Sequence, residues 1–172
     1  MPAPDDFSRH PEKPVFAWLD QHGLLHKTVT HSPTHTVADS RAVKTGIEGG
    51  HTKNLFMKDK KGHCVLISAW AESDLPLNKL HKLIDTQRLS FTNADLLWEK
   101  LRVTPGSVSA FSLIHDGDRS VRFLVDEALM QFDTFNFHPL RNDMTTSISR
   151  RDFQRFLHTT GRMLECIDFS AI

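Results

Sequence analysis

Apolar positions along the chain fall into short runs and short helical stripes. Residues 1–13, rich in Pro and Asp, read as a loose arm, and Pro14 then opens an amphipathic segment. Val15, Trp18 and Leu19 share one helical face there, and Gly23 ends it, following the preference for Pro at a helix start and Gly just past its end. Residues 25–31 alternate loosely and predict a strand. Thr36 is placed to cap a short helix through Val43, closed by Gly46. Residues 47–53, IEGGHTK, read as a glycine-bearing loop. The apolar runs 54–59 and 64–70 flank Lys60, Lys61 and Gly62 and predict a hairpin. Leu77, Leu80, Leu83 and Ile84 follow Pro76 at helical spacing, and residues 89–91 read as a short strand. Thr92 is placed to cap a helix holding Leu96, Leu97 and Leu101.

Beyond this, the turn-rich TPGSVS, residues 104–109, leads into an apolar run at 110–114. HDGDR, residues 115–119, links that run to 121–125 as a second predicted hairpin. A helical turn covers 126–130 and a strand covers 132–137. Ser149 with Asp152 resembles a capping box for a last helix, whose buried stripe is Phe153, Phe156 and Leu157. Residues 162–169 return as a strand. Helices interspersed with hairpins predict one α+β domain over residues 14–172, a mixed, mostly antiparallel sheet with helices packed on it.

Composition narrows the function. The 172 residues are 39% hydrophobic and 24% charged, a globular balance in a chain of about one domain. Lys+Arg and Asp+Glu are both 21, so bulk positive charge does not drive any nucleic-acid binding, and specific DNA binding is not expected. No apolar run approaches the roughly 18 residues of a membrane helix, and the polar N-terminus has no signal core. The two cysteines, Cys64 and Cys166, read as free thiols in a reducing cytoplasm, which makes a cytoplasmic protein the expectation.

Metal chemistry finds little support. His22 and His26, and His31 and His35, have H-x3-H spacing, but Gly23 and Pro33 interrupt the pairs and no acidic ligand is near. GGHTKN departs from the phosphate-loop pattern, because Lys53 opens a strand rather than a helix. Lys53 reads either as a solvated edge charge or as a fixed cation meeting a phosphate or carbonyl. There is no G-x-S-x-G elbow. Cys64, inside an apolar run, reads as a small hydrophobe. In TPGSVS, Gly106 allows backbone N–H groups to approach a ligand and hold an oxyanion, although an ordinary turn is the simpler reading of that fragment alone. In FNFHPLRND, Pro139 presses His138 into an extended backbone, where an imidazole serves as a base or simply lies in a surface loop. Asn142 and residues 145–147 add polar groups. Lys58, Lys60 and Lys61, and Arg151, Arg155 and Arg162, form two basic clusters, each suited to an RNA backbone or to plain solvation.

Taken in order, GGHTKNLFMKDKKGH, VTPGSVSAFSLIHD and FNFHPLRNDMTTSIS resemble the YbaK-like family of prolyl-tRNA synthetase-associated editing domains. The HTKNLF-x-KDKKG form is most similar to the free-standing branch that hydrolyses Ala-tRNA(Pro), the ProX or PrdX type. The resemblance runs from about Thr36 to the last helix. It implies a curved mixed sheet with surrounding helices and hydrolysis, without a metal or other cofactor, of the ester joining a wrong amino acid to tRNA. Carried over by position, Lys53 lies near the terminal adenosine's phosphate and Asn54 follows it in the pocket. Gly106 and Ser107, with Ser109 close by, form the loop around the carbonyl. His138 is the pocket histidine, and Asn142 joins the substrate-binding set. The substrate's own ribose hydroxyl is implied to help activate water. The partners implied are the acceptor end of mischarged tRNA(Pro) and prolyl-tRNA synthetase. One departure is Ala110, where the family loop usually carries proline, which removes a fixed φ beside the loop. The alternatives are a Cys-tRNA(Pro) deacylase of the same fold and a non-catalytic module binding tRNA or synthetase.

Overall fold

A computed structural model describes residues 9–34 and 45–171. The helix expected behind Thr36 and the partner histidine His35 lie outside the described residues. Helix α1 (Glu12–Gln21) begins two residues before Pro14, taking up the end of the expected arm, and buries Val15 and Leu19. Strand β1 (His26–Thr30) follows. The predicted hairpin is β2 (Gly50–Lys58) with β3 (Cys64–Trp70), in register from Thr52↔Trp70 to Lys58↔Cys64. Its turn is built on buried Asp59, whose Oδ1 accepts from the Lys61 and His63 amides, both at 2.9 Å. A short α2 (Leu80–Leu83) and β4 (Ser90–Phe91) precede α3 (Ala94–Leu101). The cap of α3 is Asn93 rather than Thr92: its side chain accepts from the Leu96 amide at 2.8 Å, the shorter route to an orphan helix donor.

Beyond α3 run β5 (Val121–Asp126), β6 (Thr134–Phe137), β7 (Met144–Ser149), α4 (Arg150–Thr159) and β8 (Cys166–Ile167). The sheet order is β1-β7-β6-β2-β3-β5-β8, with β4 pairing β2. The β1–β7, β2–β3, β2–β4 and β6–β7 pairs are antiparallel, while β2–β6, β3–β5 and β5–β8 are parallel. The sheet is therefore mixed and open. Among the described residues no helix is long and apolar enough to cross a membrane.

Several expectations change. The second hairpin does not form. Residues Ala110–His115 are a 3-10 helix started by Ser109, whose Oγ accepts from the Phe111 amide at 3.2 Å. Ala110, Phe111, Ser112 and Leu113 are all buried, a pattern that alternation along a strand cannot produce. Strand β5 instead runs parallel to β3, Cys64↔Val121 through Ser68↔Val125, and its near-continuous burial fits a central strand. The IEGGHTK segment is strand from Gly50 onward. The predicted final strand shrinks to Cys166–Ile167. Strand β7, with only Met144 and Ile148 as large apolar residues, has no counterpart among the expected elements, although β-branched Thr145 and Thr146 suit a strand. The last helix matches its prediction: Ser149 Oγ accepts from the Asp152 amide at 3.0 Å, and Phe153, Phe156 and Leu157 are buried.

Those side chains sit in a phenylalanine core. Phe137 stacks on Phe153 with centroids 5.1 Å apart, and Phe111 meets both Phe137 at 5.2 Å and Phe156 at 5.4 Å. A second core lies across the sheet, built from Met57, Val65, Ile67, Leu80, Ile84 and their neighbours.

Candidate functional site

The parallel pairing of β2 with β6 is short, Gly50↔Phe135 and His51↔Asn136. It depends on two glycines. A Cβ on Gly49 would stand 2.6 Å from the Thr134 carbonyl, and one on Gly50 would stand 2.5 Å from the Phe132 ring. The glycine pair therefore serves close strand approach rather than a phosphate cradle. Past this contact β2 continues with β3 while β6 turns toward β7. Thr52, Lys53 and Asn54 on one side and His138 on the other then line a cavity of about 230 Å³, with Gly106 and Val108 completing its wall.

His138 is oriented by its backbone surroundings. Its Nδ1 lies 2.8 Å from the Met144 carbonyl, which can only accept, so Nδ1 carries the proton and Nε2 the lone pair. Burial pushes the imidazole below the usual histidine range, the Met144 bond opposes this, and His31 and His51 lower it further. At neutral pH the ring is an acceptor. The turn that follows is held in place. Leu140 is buried with φ 65, a left-handed conformation uncommon for a branched residue. Arg141 grips Asp143 with two hydrogen bonds, at 2.9 and 2.7 Å, and reaches Glu12 at 3.2 Å. His31, whose ring lies 6.2 Å from that of His138, bonds Thr145 Oγ1 at 2.9 Å.

The glycine loop is a tight turn. The Ser107 amide donates to the Thr104 carbonyl at 3.2 Å, with Pro105 second and Gly106 third at φ +89, the geometry of a type II turn. Space around the Gly106 Cα is open. The Ser107 amide is thus consumed by the turn. The Gly106 and Val108 amides donate to no group among the described residues, and both residues line the cavity.

On β2 a chain of hydrogen bonds fixes the polar wall. Ser68 Oγ donates to Asn54 Oδ1 at 2.5 Å, Asn54 Nδ2 to Thr52 Oγ1 at 3.1 Å, and Thr52 Oγ1 to the Asn136 carbonyl at 2.8 Å. Asn54 therefore keeps one amide hydrogen to offer a ligand. Lys53 Nζ donates to the Ser73 carbonyl.

Of the residues singled out from sequence, Lys53, Asn54, Gly106 and His138 share the cavity. Ser107, Ser109 and Asn142 are not among its wall residues. Ser107 is buried in the turn, Ser109 is fully buried and caps the 3-10 helix, and the Asn142 carbonyl accepts from the Thr34 amide at 3.3 Å. Thr52 and Val108 were missed; each sits one or two positions from a residue that was chosen, which was the available signal. His22 and His26 are committed elsewhere, to the Trp18 carbonyl and to Asp20. Cys64 is buried with its thiol pushed up by burial, unsuited to nucleophilic work. A larger cavity of about 750 Å³ carries Asp74, Asp126, Glu127 and Asp168 on its walls and no basic residue, a poor host for a polyanion.

Comparison with known proteins is consistent with this arrangement. The aminoacyl-tRNA editing domain model matches residues 31–156. The chain is 27% identical over 155 residues to the prolyl-tRNA editing protein ProX of Acetoanaerobium sticklandii, covering 90% of this chain and 94% of that one. It is 33% identical over 134 residues to prolyl-tRNA synthetase associated domain-containing protein 1 of Danio rerio, covering 77% and 73%. A solved structure described as a candidate trans-editing enzyme for prolyl tRNA synthetase superposes with a TM-score of 0.69 at 18% identity, covering 92% and 97%, which establishes likeness of fold.

Proposed function

The chain belongs to the aminoacyl-tRNA editing domain family, and from that premise we propose that it is a trans-acting deacylase that hydrolyses Ala-tRNA(Pro) and spares Pro-tRNA(Pro). The observation that carries this reading is the convergence of Lys53, the Gly106 turn and a neutral His138 on one small cavity. At about 230 Å³ it falls below the roughly 300–1,000 Å³ of sites built for larger ligands, which supports a small acyl group as its occupant.

Such an activity answers a physical need. A pocket that activates proline cannot sterically exclude the smaller alanine, because each missing methylene is worth only about 1–3 kcal/mol. A second site that admits alanine and rejects proline by size removes the error.

The chemistry follows from the groups at hand. Water adds its oxygen to the acyl carbon, and the carbonyl oxygen takes up negative charge. The unengaged Gly106 and Val108 amides donate to that oxygen, where preorganised donors are worth most. His138 Nε2 accepts a hydrogen bond from the attacking water or from the adjacent ribose hydroxyl. The acyl–oxygen bond then breaks, and the leaving ribose oxygen takes the proton that water gave up. Lys53 exchanges its Ser73 carbonyl for the phosphate of the terminal adenosine, a charge-assisted contact. Asn54 holds the substrate with its remaining amide hydrogen. The relatives' names also support working beside prolyl-tRNA synthetase, in the compartment where tRNA(Pro) is charged.

Deacylation measured on a panel of tRNA(Pro) carrying Ala, Cys, Ser or Pro tests the reading. Preferential loss of alanine supports it. Preferential loss of cysteine assigns the other branch of the fold, and tRNA retention without cleavage identifies a binding module.

A further inference from the structure

His31 stands out in the sequence as half of an H-x3-H pair whose other member, His35, lies outside the described residues. Its contacts point elsewhere. Strand β1 ends on the pair Thr30↔Met144. One residue on, the His31 amide donates to the Asp143 carbonyl at 2.9 Å, and the Thr34 amide donates to the Asn142 carbonyl at 3.3 Å. The chain after β1 is thus tied along the turn that leads into β7. The His31 ring comes back onto the same turn. Its Nδ1 lies 2.8 Å from the Ser32 carbonyl, which can only accept, so that nitrogen carries the proton. Nε2 is then an acceptor, and the buried Thr145 hydroxyl donates to it at 2.9 Å.

The residue between these two attachments is Met144. Its carbonyl is the acceptor that keeps the His138 proton on Nδ1 and the lone pair on Nε2. His31 therefore brackets Met144, through its amide on Asp143 and its ring on Thr145. The same ring lies 6.2 Å from that of His138, tilted by 53°. His31 is not among the wall residues of the cavity, so it reaches the site only through these neighbours. Two imidazoles this close resist carrying charge together. Burial is the largest cause of the low pKa of His138, and His31 and His51 deepen it, while the Met144 bond and Asp143 oppose it. The other charged groups around the pair are Arg141, held by Asp143 and Glu12, and Lys53 on the cavity wall.

We propose that His31 is the positioning residue of His138: by holding residues 143 and 145 it fixes the Met144 carbonyl between them, and with it the tautomer and the aim of the His138 imidazole. This rests on the deacylase reading above and deepens it. The ring nitrogen that carries the proton is set by the partner of Nδ1, so Nε2 is open to the attacking water only while the Met144 carbonyl stays in place. The hydroxyl of Thr145 is the link, because it joins the His31 ring to the residue that follows that carbonyl.

The test uses the full chain, unaltered and as His31→Phe, His31→Gln and Thr145→Val. Phe keeps a ring and loses the acceptor, Gln offers an oxygen acceptor on a side chain that does not ionise, and Val keeps the shape of Thr without its hydroxyl. Nitrogen-15 NMR of the imidazoles, which needs no substrate, reads which nitrogen of His138 carries the proton at neutral pH. In the unaltered protein it is Nδ1. In His31→Phe and Thr145→Val a second population protonated on Nε2 appears, while His26, stacked on Phe16 and bonded to Asp20, keeps its shifts. His31→Gln retains the single Nδ1 form, and its His138 titrates at higher pH because the neighbouring ionisable ring is gone. On Ala-tRNA(Pro), kcat falls about ten- to a hundredfold in His31→Phe and in Thr145→Val with KM little changed, the scale of a misplaced catalytic group. His31→Gln recovers most of that loss, and the double variant of His31→Phe with Thr145→Val is no slower than either single. A His138 that stays wholly Nδ1-protonated in His31→Phe would overturn the proposal. So would an equal change at His26, which marks a structural effect, a His31→Gln as slow as His31→Phe, or losses that multiply in the double variant. If the unaltered protein cleaves no ester, the deacylase reading fails and the NMR arm alone decides the role of His31.

Discussion

The rings of Phe111 and Phe137 lie 5.2 Å apart at 60°, and this contact ties two site segments together. Phe111 lies in the buried run, five residues after Gly106, and Phe137 immediately precedes His138. The loop amides and the imidazole are thus set against each other by one core contact. Phe111→Ala should cost about 3–5 kcal/mol and endanger the fold. Phe111→Leu should keep the fold and lower kcat more than it changes KM, because it loosens the spacing of donors and base. A Phe111→Leu protein with reduced melting temperature but unaltered kcat would place the contact outside the catalytic geometry.

In the proposed reaction His138 sets the pH dependence. Its pKa lies below the ordinary histidine value, so the lone pair on Nε2 is retained at neutral pH and lost only on acidification. The rate should therefore hold level through pH 6.5 and decline below it. The same sign governs stability. Between its folded and unfolded pKa values the unfolded chain binds the extra proton, so stability falls as pH drops below about 6.5. His138→Gln should abolish that limb of the rate profile along with most of the activity. An acid limb that persists in His138→Gln assigns the titration to another group.

Lys53→Ala should lower deacylation about a hundredfold, the scale of removing one charge-stabilising group, while changing thermal stability little. Among the described residues its side chain makes one hydrogen bond, to the Ser73 carbonyl, at a partly exposed position. Full activity in Lys53→Ala would remove the lysine from the site.

Gly106 and Gly23 form a matched pair. Both have positive φ, +89 and +65, and neither would meet another atom with an added Cβ. Alanine at either position should cost about 1–2 kcal/mol in backbone strain. Only Gly106→Ala should also reduce kcat, since only that turn lines the cavity. Equal kcat in both variants would make the turn merely structural.

The legible parts of this protein were local. The β2–β3 hairpin and the Ser149-capped helix each announce themselves within about ten residues, through apolar runs around a turn or a cap ahead of a stripe. What escaped depends on distant partners. The apolar run 110–114 reads as strand until Phe111 is seen between Phe137 and Phe156, where continuous burial favours a 3-10 turn. Strand β7, between β1 and β6, carries Thr145 and Thr146 on buried positions, so its polarity hid it. In the site, Lys53, Gly106 and His138 stood out singly, Asn54 entered only with the family resemblance that grouped all four, and the short parallel pairing of β2 with β6 brings Lys53 and Asn54 to the same hollow as His138. Thr52 and Val108 went unnoticed because a neutral wall residue has no chemical signature of its own.

The comparison that bears most directly on the central claim is the rate of hydrolysis of Ala-tRNA(Pro) against that of Pro-tRNA(Pro) by the same purified protein. The proposed size sieve predicts that the alanyl ester is cleaved faster by about a hundredfold or more. Equal rates on the two esters would contradict a size sieve.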